Sequence, residues 1–159
     1  MLTSHFRMAP HSSSNPPQPA AKLLLVDDNK LGLSARRVLM EELGYQVVAT
    51  TCPEEAITLA QQDAFDLVIT DYRMPAMSGS ELIASLRGLG FQRPIILISG
   101  FVDALGLNEE NTGADAVIQK SAHEVTHMVR SVKALLKPKA ARKPPQSHQA
   151  RQASRRKKA

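Results

Sequence analysis

Four short apolar runs, each followed or closed by a polar or charged residue, constrain the fold of this 159-residue chain most strongly. They read KLLLVDD at 22–28, DLVITD at 66–71, PIILIS at 94–99 and ADAVIQK at 114–120. Runs of this length, rich in Val, Ile and Leu, are typical of strands that are covered on both faces of a parallel sheet. The polar residues then lie where the strands end, and in open α/β sheets this is the edge at which ligands bind.

The segments between these runs have the spacing of amphipathic helices. That spacing predicts a second strand over 45–50 and helices over 29–43, 53–63, 79–89 and 121–136. In the first helix we expect one buried apolar face, made of Leu31, Ala35, Val38, Leu39 and Leu43. Alternating strands and helices predict a three-layer α/β domain with right-handed crossovers.

Two helices begin with the pattern Ser-x-x-Glu, which predicts a capping box at Ser78 with Glu81 and another at Ser121 with Glu124. The segment 101–112 is the weakest of the five helix candidates because Gly106 interrupts it. We expect this segment to be short or irregular. It is then either a movable element or an ordinary surface helix.

The charge of the chain is divided unevenly. The net charge is +5, yet residues 21–136 hold ten basic and fifteen acidic side chains, while residues 137–158 hold nine basic and none. Residues 1–20 are rich in Pro and Ser. We therefore predict one acidic domain over 21–137, between a disordered segment at 1–20 and a disordered basic tail at 138–159.

Composition also narrows the function. No run approaches the roughly 20 apolar residues that cross a membrane, so we expect no membrane contact and a cytoplasmic protein. Cys52 is the single cysteine, which excludes an intrachain disulfide. Aromatic residues are few, which argues against a stacking surface for single strands. The basic tail is either a solvated segment or a non-specific contact for nucleic acid or an acidic partner.

Five polar residues at the predicted strand ends form a chemically consistent set. The carboxylates of Asp27, Asp28 and Asp71 repel one another when they lie close together, and a bound cation relieves that repulsion. Oxygen ligands favour Mg²⁺ when a phosphoryl group is also present. Asp71 could then accept a phosphoryl group as a nucleophile, while Lys120 and Ser99 contact its oxygens. Taken singly, Asp71 is equally typical of a strand cap, whereas Ser99 is more often a turn serine and Lys120 is more often a solvated surface lysine.

Together these landmarks resemble the receiver domain of bacterial two-component response regulators. The landmarks are VDD at 26–28, the strand ending in Asp71, the run Met74-Pro75-x-Met77-x-Gly79, Ser99 after PIILI, and Lys120. The resemblance covers about residues 22–137 and implies a flavodoxin-like five-stranded parallel sheet in the order 2-1-3-4-5.

The resemblance also implies a function. Asp71 would take a phosphoryl group from a histidine kinase or a phosphotransfer protein. Mg²⁺ would be bound by Asp28, Asp71 and the main-chain carbonyl of Arg73, with Asp27 helping through water. Phosphorylation would shift the surface around the fourth helix and fifth strand. Because no second domain follows Pro138, we expect a stand-alone receiver that acts through a partner and catalyses only its own phosphotransfer.

The chain departs from the receiver pattern at four positions. Val117 stands where an aromatic residue is usual, and Ser121 stands where a proline with a cis bond is common, so we expect a trans bond there. Arg73 and Phe101 occupy positions that influence hydrolysis of the phosphoryl group in this family. Their bulk could hinder the attacking water, and we hypothesise slow dephosphorylation.

Two other functions stay open on the sequence alone. One is a Mg²⁺-dependent phosphohydrolase that uses Asp71, although this class wants a second acid/base aspartate where Arg73 stands. The other is a degenerate receiver scaffold whose basic tail binds nucleic acid or an acidic partner.

Overall fold

The computed structural model describes residues 20–138, so the predictions of disorder for 1–20 and 138–159 lie, apart from residues 20 and 138 themselves, outside the described residues. The strands are β1 Lys22–Val26, β2 Gln46–Thr50, β3 Leu67–Asp71, β4 Ile95–Ser99 and β5 Ala116–Gln119. The helices are α1 Lys30–Glu42, α2 Pro53–Gln62, α3 Gly79–Gly88, α4 Val102–Leu105, α5 Glu109–Thr112 and α6 Glu124–Leu136.

The five strands form one parallel sheet in the order β2-β1-β3-β4-β5, which confirms the predicted flavodoxin-like topology. β3 and β4 are buried along their whole length, as their apolar runs predict. β1 and β3 are neighbours, with Val26 opposite Thr70. The residues that follow these two strands therefore meet at the same sheet edge, where the strand order changes direction.

Each face of the sheet has its own apolar core because successive side chains of a strand point to opposite faces. One core packs Leu24, Val68 and Leu97 against α2 and α3, through residues such as Ala56 and Leu82. The other core combines strand residues with α1 and α6; its buried members are Leu23, Leu25, Leu33, Met40, Leu67, Ile69, Ile96, Ile98, Ile118, Met128 and Val132. The three-layer arrangement is as predicted.

The predicted buried face of α1 is wrong except at Leu39, which is partly buried against the core. Leu31 is 84% exposed, and Val38 and Leu43 are exposed as well, whereas Leu33 and Met40 are buried against the sheet. The helix carries more apolar residues than one stripe can hold, so its periodicity allows two alternative faces. Packing against the sheet selects the face that contains Leu33 and Met40.

The weak helical segment at 101–112 is divided into two short helices, so the described chain has six helices rather than the five predicted. Gly106 adopts a left-handed conformation, with φ of 60°, and ends α4. The side chain of Asn108 then caps α5 by accepting a bond from the main-chain N–H of Asn111. The expectation of a short or irregular segment is confirmed.

One of the two predicted capping boxes is present. Ser78 and Glu81 exchange both bonds at the start of α3. The box at Ser121 is wrong: α6 begins at Glu124, and Ser121 Oγ instead accepts a bond from the N–H of His123. The Glu124 side chain binds Arg36 through Oε1 instead of capping the helix.

Candidate functional site

Three acidic side chains from two neighbouring strand ends converge at the predicted edge of the sheet. Asp27 directly follows β1, and Asp71 is the last residue of β3. Asp27, Asp28 and Asp71 each offer a carboxylate oxygen within 4.8 Å of the other two. Asp27 and Asp71 are buried, while Asp28 is exposed. We refer to these three carboxylates as the acidic cluster; the convergence predicted from sequence is observed.

Lys120, which directly follows β5, adds a positive charge to the site. Its ammonium nitrogen lies 2.6 Å from Asp71 Oδ1, and its main-chain N–H donates to the carbonyl of Ser99. That backbone bond holds the end of β5 beside the end of β4. The ammonium predicted at this sheet edge thus lies beside Asp71, while its contact with a phosphoryl group stays a prediction.

Ser99 is the last residue of β4 and is buried. Its hydroxyl oxygen accepts a 3.0 Å bond from the main-chain N–H of Phe101, which orients the side chain. A hydroxyl in this role still has its own proton to donate. Ser99 can therefore serve as a hydrogen-bond donor at the same sheet edge.

The surroundings of Asp71 in the folded protein disfavour the ionised form of its carboxyl group. Burial raises the pKa of its carboxyl group, and the neighbouring Asp27 charge acts in the same direction, against the lowering effect of Lys120. Asp71 Oδ1 accepts no well-aligned hydrogen bond from any described residue, although the Lys120 ammonium lies close to it. A buried oxygen in this state fits a site that takes an additional cation.

Asp27 is held by two donors. Its Oδ1 accepts a 2.9 Å bond from the main-chain N–H of Asn29, and its Oδ2 accepts a 2.5 Å bond from Arg36 Nη1. The same guanidinium donates two further bonds to Glu124 Oε1, from Nε at 2.9 Å and from Nη2 at 2.6 Å. Burial alone would lower the pKa of Arg36, but these bonds outweigh burial and raise it.

Sequence reasoning missed Arg36. An arginine in a helix that follows an acidic pair is an ordinary feature, and its second partner Glu124 lies 88 residues further along the chain. The available signal was the position of Arg36 two turns beyond Asp28, but that spacing does not indicate which side chain it contacts.

The packing at position 79 explains why the run that follows β3 contains a glycine there. The N–H of Gly79 donates a 2.7 Å bond to the carbonyl of Tyr72, so the start of α3 packs directly on the chain that leaves Asp71. A Cβ atom at Gly79 would lie 2.3 Å from the Asp71 carbonyl oxygen and 2.6 Å from Leu97 Cδ1. Only glycine allows this approach, which is why the residue is needed beside the site.

Arg73 and Phe101, which follow the ends of β3 and β4, contact each other. The guanidinium carbon of Arg73 lies 4.2 Å from the centre of the Phe101 ring, within the range of a cation–π interaction. The role of the Arg73 main-chain carbonyl as a metal ligand stays a prediction. Val117 lies in β5 and packs against the core, and the bond between Lys120 and Ser121 is trans, as expected.

The fold and the site together define the class: a flavodoxin-like α/β domain with an acidic cluster and a lysine at the carboxyl edge of its sheet. Comparison with known proteins agrees with this class. Residues 23–133 match the family model of the response regulator receiver domain. The chain belongs to this family, the receiver domain of response regulators in two-component systems.

Three relatives illustrate the match. The virulence sensor protein BvgS of Bordetella pertussis is 36% identical over 97 residues, which are 58% of this chain and 8% of BvgS. The putative transcription regulator BvgA of the same organism is 31% identical over 117 residues, 71% of this chain and 56% of BvgA. The response regulator TrrA of Thermotoga maritima, solved with Mg²⁺-BeF, is 28% identical, with a TM-score of 0.64 over 73% of this chain and 99% of TrrA.

The chain thus spans only part of the curated relatives it matches, about half of BvgA and a small fraction of BvgS. Between residues 20 and 138, none of the helices has both the length and the apolar character that a membrane crossing requires.

Proposed function

We propose that this protein is a phosphoacceptor, in which Asp71 takes a phosphoryl group from the phosphohistidine of a histidine kinase or a phosphotransfer protein. The observation that supports this most directly is the contact between Asp71 and Lys120, at 2.6 Å, beside two further carboxylates. A nucleophilic carboxylate needs nearby positive charge because the incoming phosphoryl group is itself negative.

The proposed step is a simple displacement. An oxygen of the Asp71 carboxylate forms a bond to phosphorus, the bond from phosphorus to the donor imidazole breaks, and the imidazole takes up a proton. Lys120 pairs with the phosphoryl oxygens, and Ser99 donates its hydroxyl proton to one of them. The domain would catalyse only this modification of itself.

The acidic cluster fits a divalent cation of the Mg²⁺ type because all three side chains offer oxygen and no histidine or cysteine joins them. Asp28 and Asp71 would hold the ion, with Asp27 beside it. When bound, Mg²⁺ would neutralise charge that develops on the phosphoryl oxygens. The bound Mg²⁺-BeF named for TrrA supports this assignment.

The kinase partner is supported by the relatives. Matching segments occur in proteins named as sensors, BvgS and GacS, and in regulators such as BvgA and SaeR. For this chain we propose that phosphorylation shifts the balance between two conformations and so changes a binding surface. The two short helices α4 and α5 are candidates for the moving element, because Gly106 separates them and few of their residues are buried.

The test is intact-mass spectrometry after incubation with acetyl phosphate or a phosphorylated histidine kinase, with Mg²⁺ and with a chelator. We expect one added phosphoryl group in the wild type, none in Asp71→Asn, and loss of the modification with the chelator. Asp63→Asn is a matched control, since Asp63 is exposed and pairs with Lys22 at the start of β1. Modification of Asp71→Asn, or none in the wild type with either donor, would refute the proposal.

Incubation with a free phosphomonoester in place of these donors, with measurement of its turnover, separates the phosphohydrolase alternative. A hydrolase would turn over a free phosphomonoester many times without a stable mass increase. The position two residues after Asp71, where that class wants an aspartate, holds Arg73, which stacks on Phe101.

A further inference from the structure

Arg36 links the acidic cluster to a helix that is distant in sequence. It lies on α1, donates to Asp27 Oδ2 at 2.5 Å, and holds Glu124 in the first turn of α6 through two bonds. Its side chain is only 13% exposed. Arg36, Asp27 and Asp71 also line one small cavity of about 10 Å³. The guanidinium is therefore a part of the site and not a surface group.

The charges of the site show what this arginine does. Three carboxylates converge there, and two cations, Lys120 and Arg36, contact them. Lys120 neutralises Asp71, and Arg36 neutralises Asp27. Without a bound ion, these three carboxylates and two cations carry a net charge of −1, compared with −2 if Arg36 were absent; Glu124, which also binds Arg36, adds one negative charge. Arg36 thus performs in the metal-free protein part of the task that a divalent cation would perform.

We propose that Arg36 is a built-in competitor of the divalent cation: it positions Asp27, stabilises the metal-free site, and weakens the affinity of the acidic cluster for Mg²⁺. The inference rests on the proposed metal site of Asp27, Asp28 and Asp71. Arg36 acts through Asp27 and is a positioning residue, not a catalytic one. Glu124 moderates the competition because its carboxylate shares the positive charge of the guanidinium.

Two substitutions should change the affinity for Mg²⁺ in opposite directions. Arg36→Met removes the charge but keeps a long apolar stem, so Mg²⁺ should bind more tightly, by about tenfold if the effective dielectric is high. Glu124→Gln removes the moderating charge, so Mg²⁺ should bind more weakly than in the wild type. A purely structural role for Arg36 predicts the reverse for Arg36→Met, since a disordered Asp27 would weaken binding.

The chain supplies matched controls. Arg37 is the next residue on α1 and pairs with Glu41 on the exposed side of the helix, so Arg37→Met removes the same charge away from the cluster. It should leave Mg²⁺ affinity nearly unchanged. Arg36→Lys keeps the charge and should bind Mg²⁺ with nearly the wild-type affinity.

The experiment is calorimetric titration of the unphosphorylated full chain and its variants with MgCl₂ at constant ionic strength. Urea unfolding with and without Mg²⁺ is the second measurement. The urea midpoint of Arg36→Met should fall without the ion and recover more than that of the wild type with it. If Arg36→Met fails to fold, the Mg²⁺ affinity of Glu124→Gln tests the competitor role: weaker binding than in the wild type supports it, and equal or tighter binding overturns it.

The outcomes are distinguishable from those of the proposed function. Equal or weaker Mg²⁺ binding by Arg36→Met overturns the competitor role, even if Asp71 is phosphorylated as proposed. Tighter binding by Arg36→Met supports it, even if phosphorylation fails. If neither the wild type nor Arg36→Met binds Mg²⁺, both the metal site and the inference are wrong.

Discussion

Replacing Gly79 with alanine should destabilise the domain because the added methyl group has no space. Its carbon would lie 2.3 Å from the Asp71 carbonyl oxygen, 2.6 Å from Leu97 Cδ1 and 3.0 Å from the Cα atom of Tyr72. Two of these three atoms belong to the backbone and cannot rotate away. The substitution must therefore move the start of α3 away from the end of β3.

Two terms lower the free energy of unfolding in Gly79→Ala, and a third raises it. Overpacking of a tight site costs roughly 1–3 kcal/mol, and a strained bond from the Gly79 N–H to Tyr72 adds about 1 kcal/mol. Alanine in place of glycine in a helix returns up to about 1 kcal/mol. We expect the free energy of unfolding to fall by about 1–3 kcal/mol.

Gly88 provides the matched control within the same helix. It ends α3, is exposed, and has no atom within 4 Å of the position that a Cβ would occupy. Gly88→Ala should therefore stabilise the protein by about 0.5–1 kcal/mol through helix propensity alone. The same chemical change is expected to have opposite signs at the two ends of one helix.

Urea unfolding of the wild type and both variants, followed by circular dichroism, measures the difference. The rate at which Asp71 is modified provides a second measurement, because displacement of α3 moves the backbone of Asp71 itself. If Gly79→Ala were as stable as Gly88→Ala, the packing of α3 on the end of β3 described above would be wrong.

Three further predictions concern the site and the start of α3. Because burial raises the pKa of Asp71, stability is lost as pH rises from the unfolded-state pKa toward the higher folded-state pKa; Asp71→Asn should therefore raise metal-free stability at neutral pH. This gain should vanish below about pH 4, and unfolding curves over a pH series test it. Arg73→Ala removes the stack on Phe101 and should shorten the lifetime of phosphorylated Asp71 severalfold; an unchanged lifetime measured by intact mass would contradict the slow-dephosphorylation hypothesis. Ser78→Ala should cost about 1 kcal/mol in urea unfolding through loss of the α3 cap, and no loss would argue against the box.

The strands and the polar residues at their ends were predictable from the sequence. Each apolar run ends near a chemically distinctive residue, such as Asp71 or Ser99, and the sheet order followed from resemblance to a known family. In a parallel sheet, position at a strand end also determines position in space. Strand-end position together with the sheet order implied by the resemblance was therefore enough to bring Asp71 and Lys120, 49 residues apart, to the same edge.

The errors occurred where local patterns allowed more than one answer. The apolar residues of α1 satisfy two helical stripes, and only the sheet selected Leu33 over Leu31. Ser121 and Glu124 match the capping-box pattern as well as Ser78 and Glu81 do, but the Glu124 side chain binds Arg36 instead. Local periodicity and capping patterns do not include such competition from distant residues.

The sequence by itself determined which segments become strands and which chemical groups stand at their ends, because short-range propensity and burial follow from neighbouring residues. Only the tertiary structure decided that Arg36 lies between Asp27 and Glu124. These contacts depend on how α1 and α6 pack side by side on the sheet. No local sequence pattern encodes the distance between these two helices.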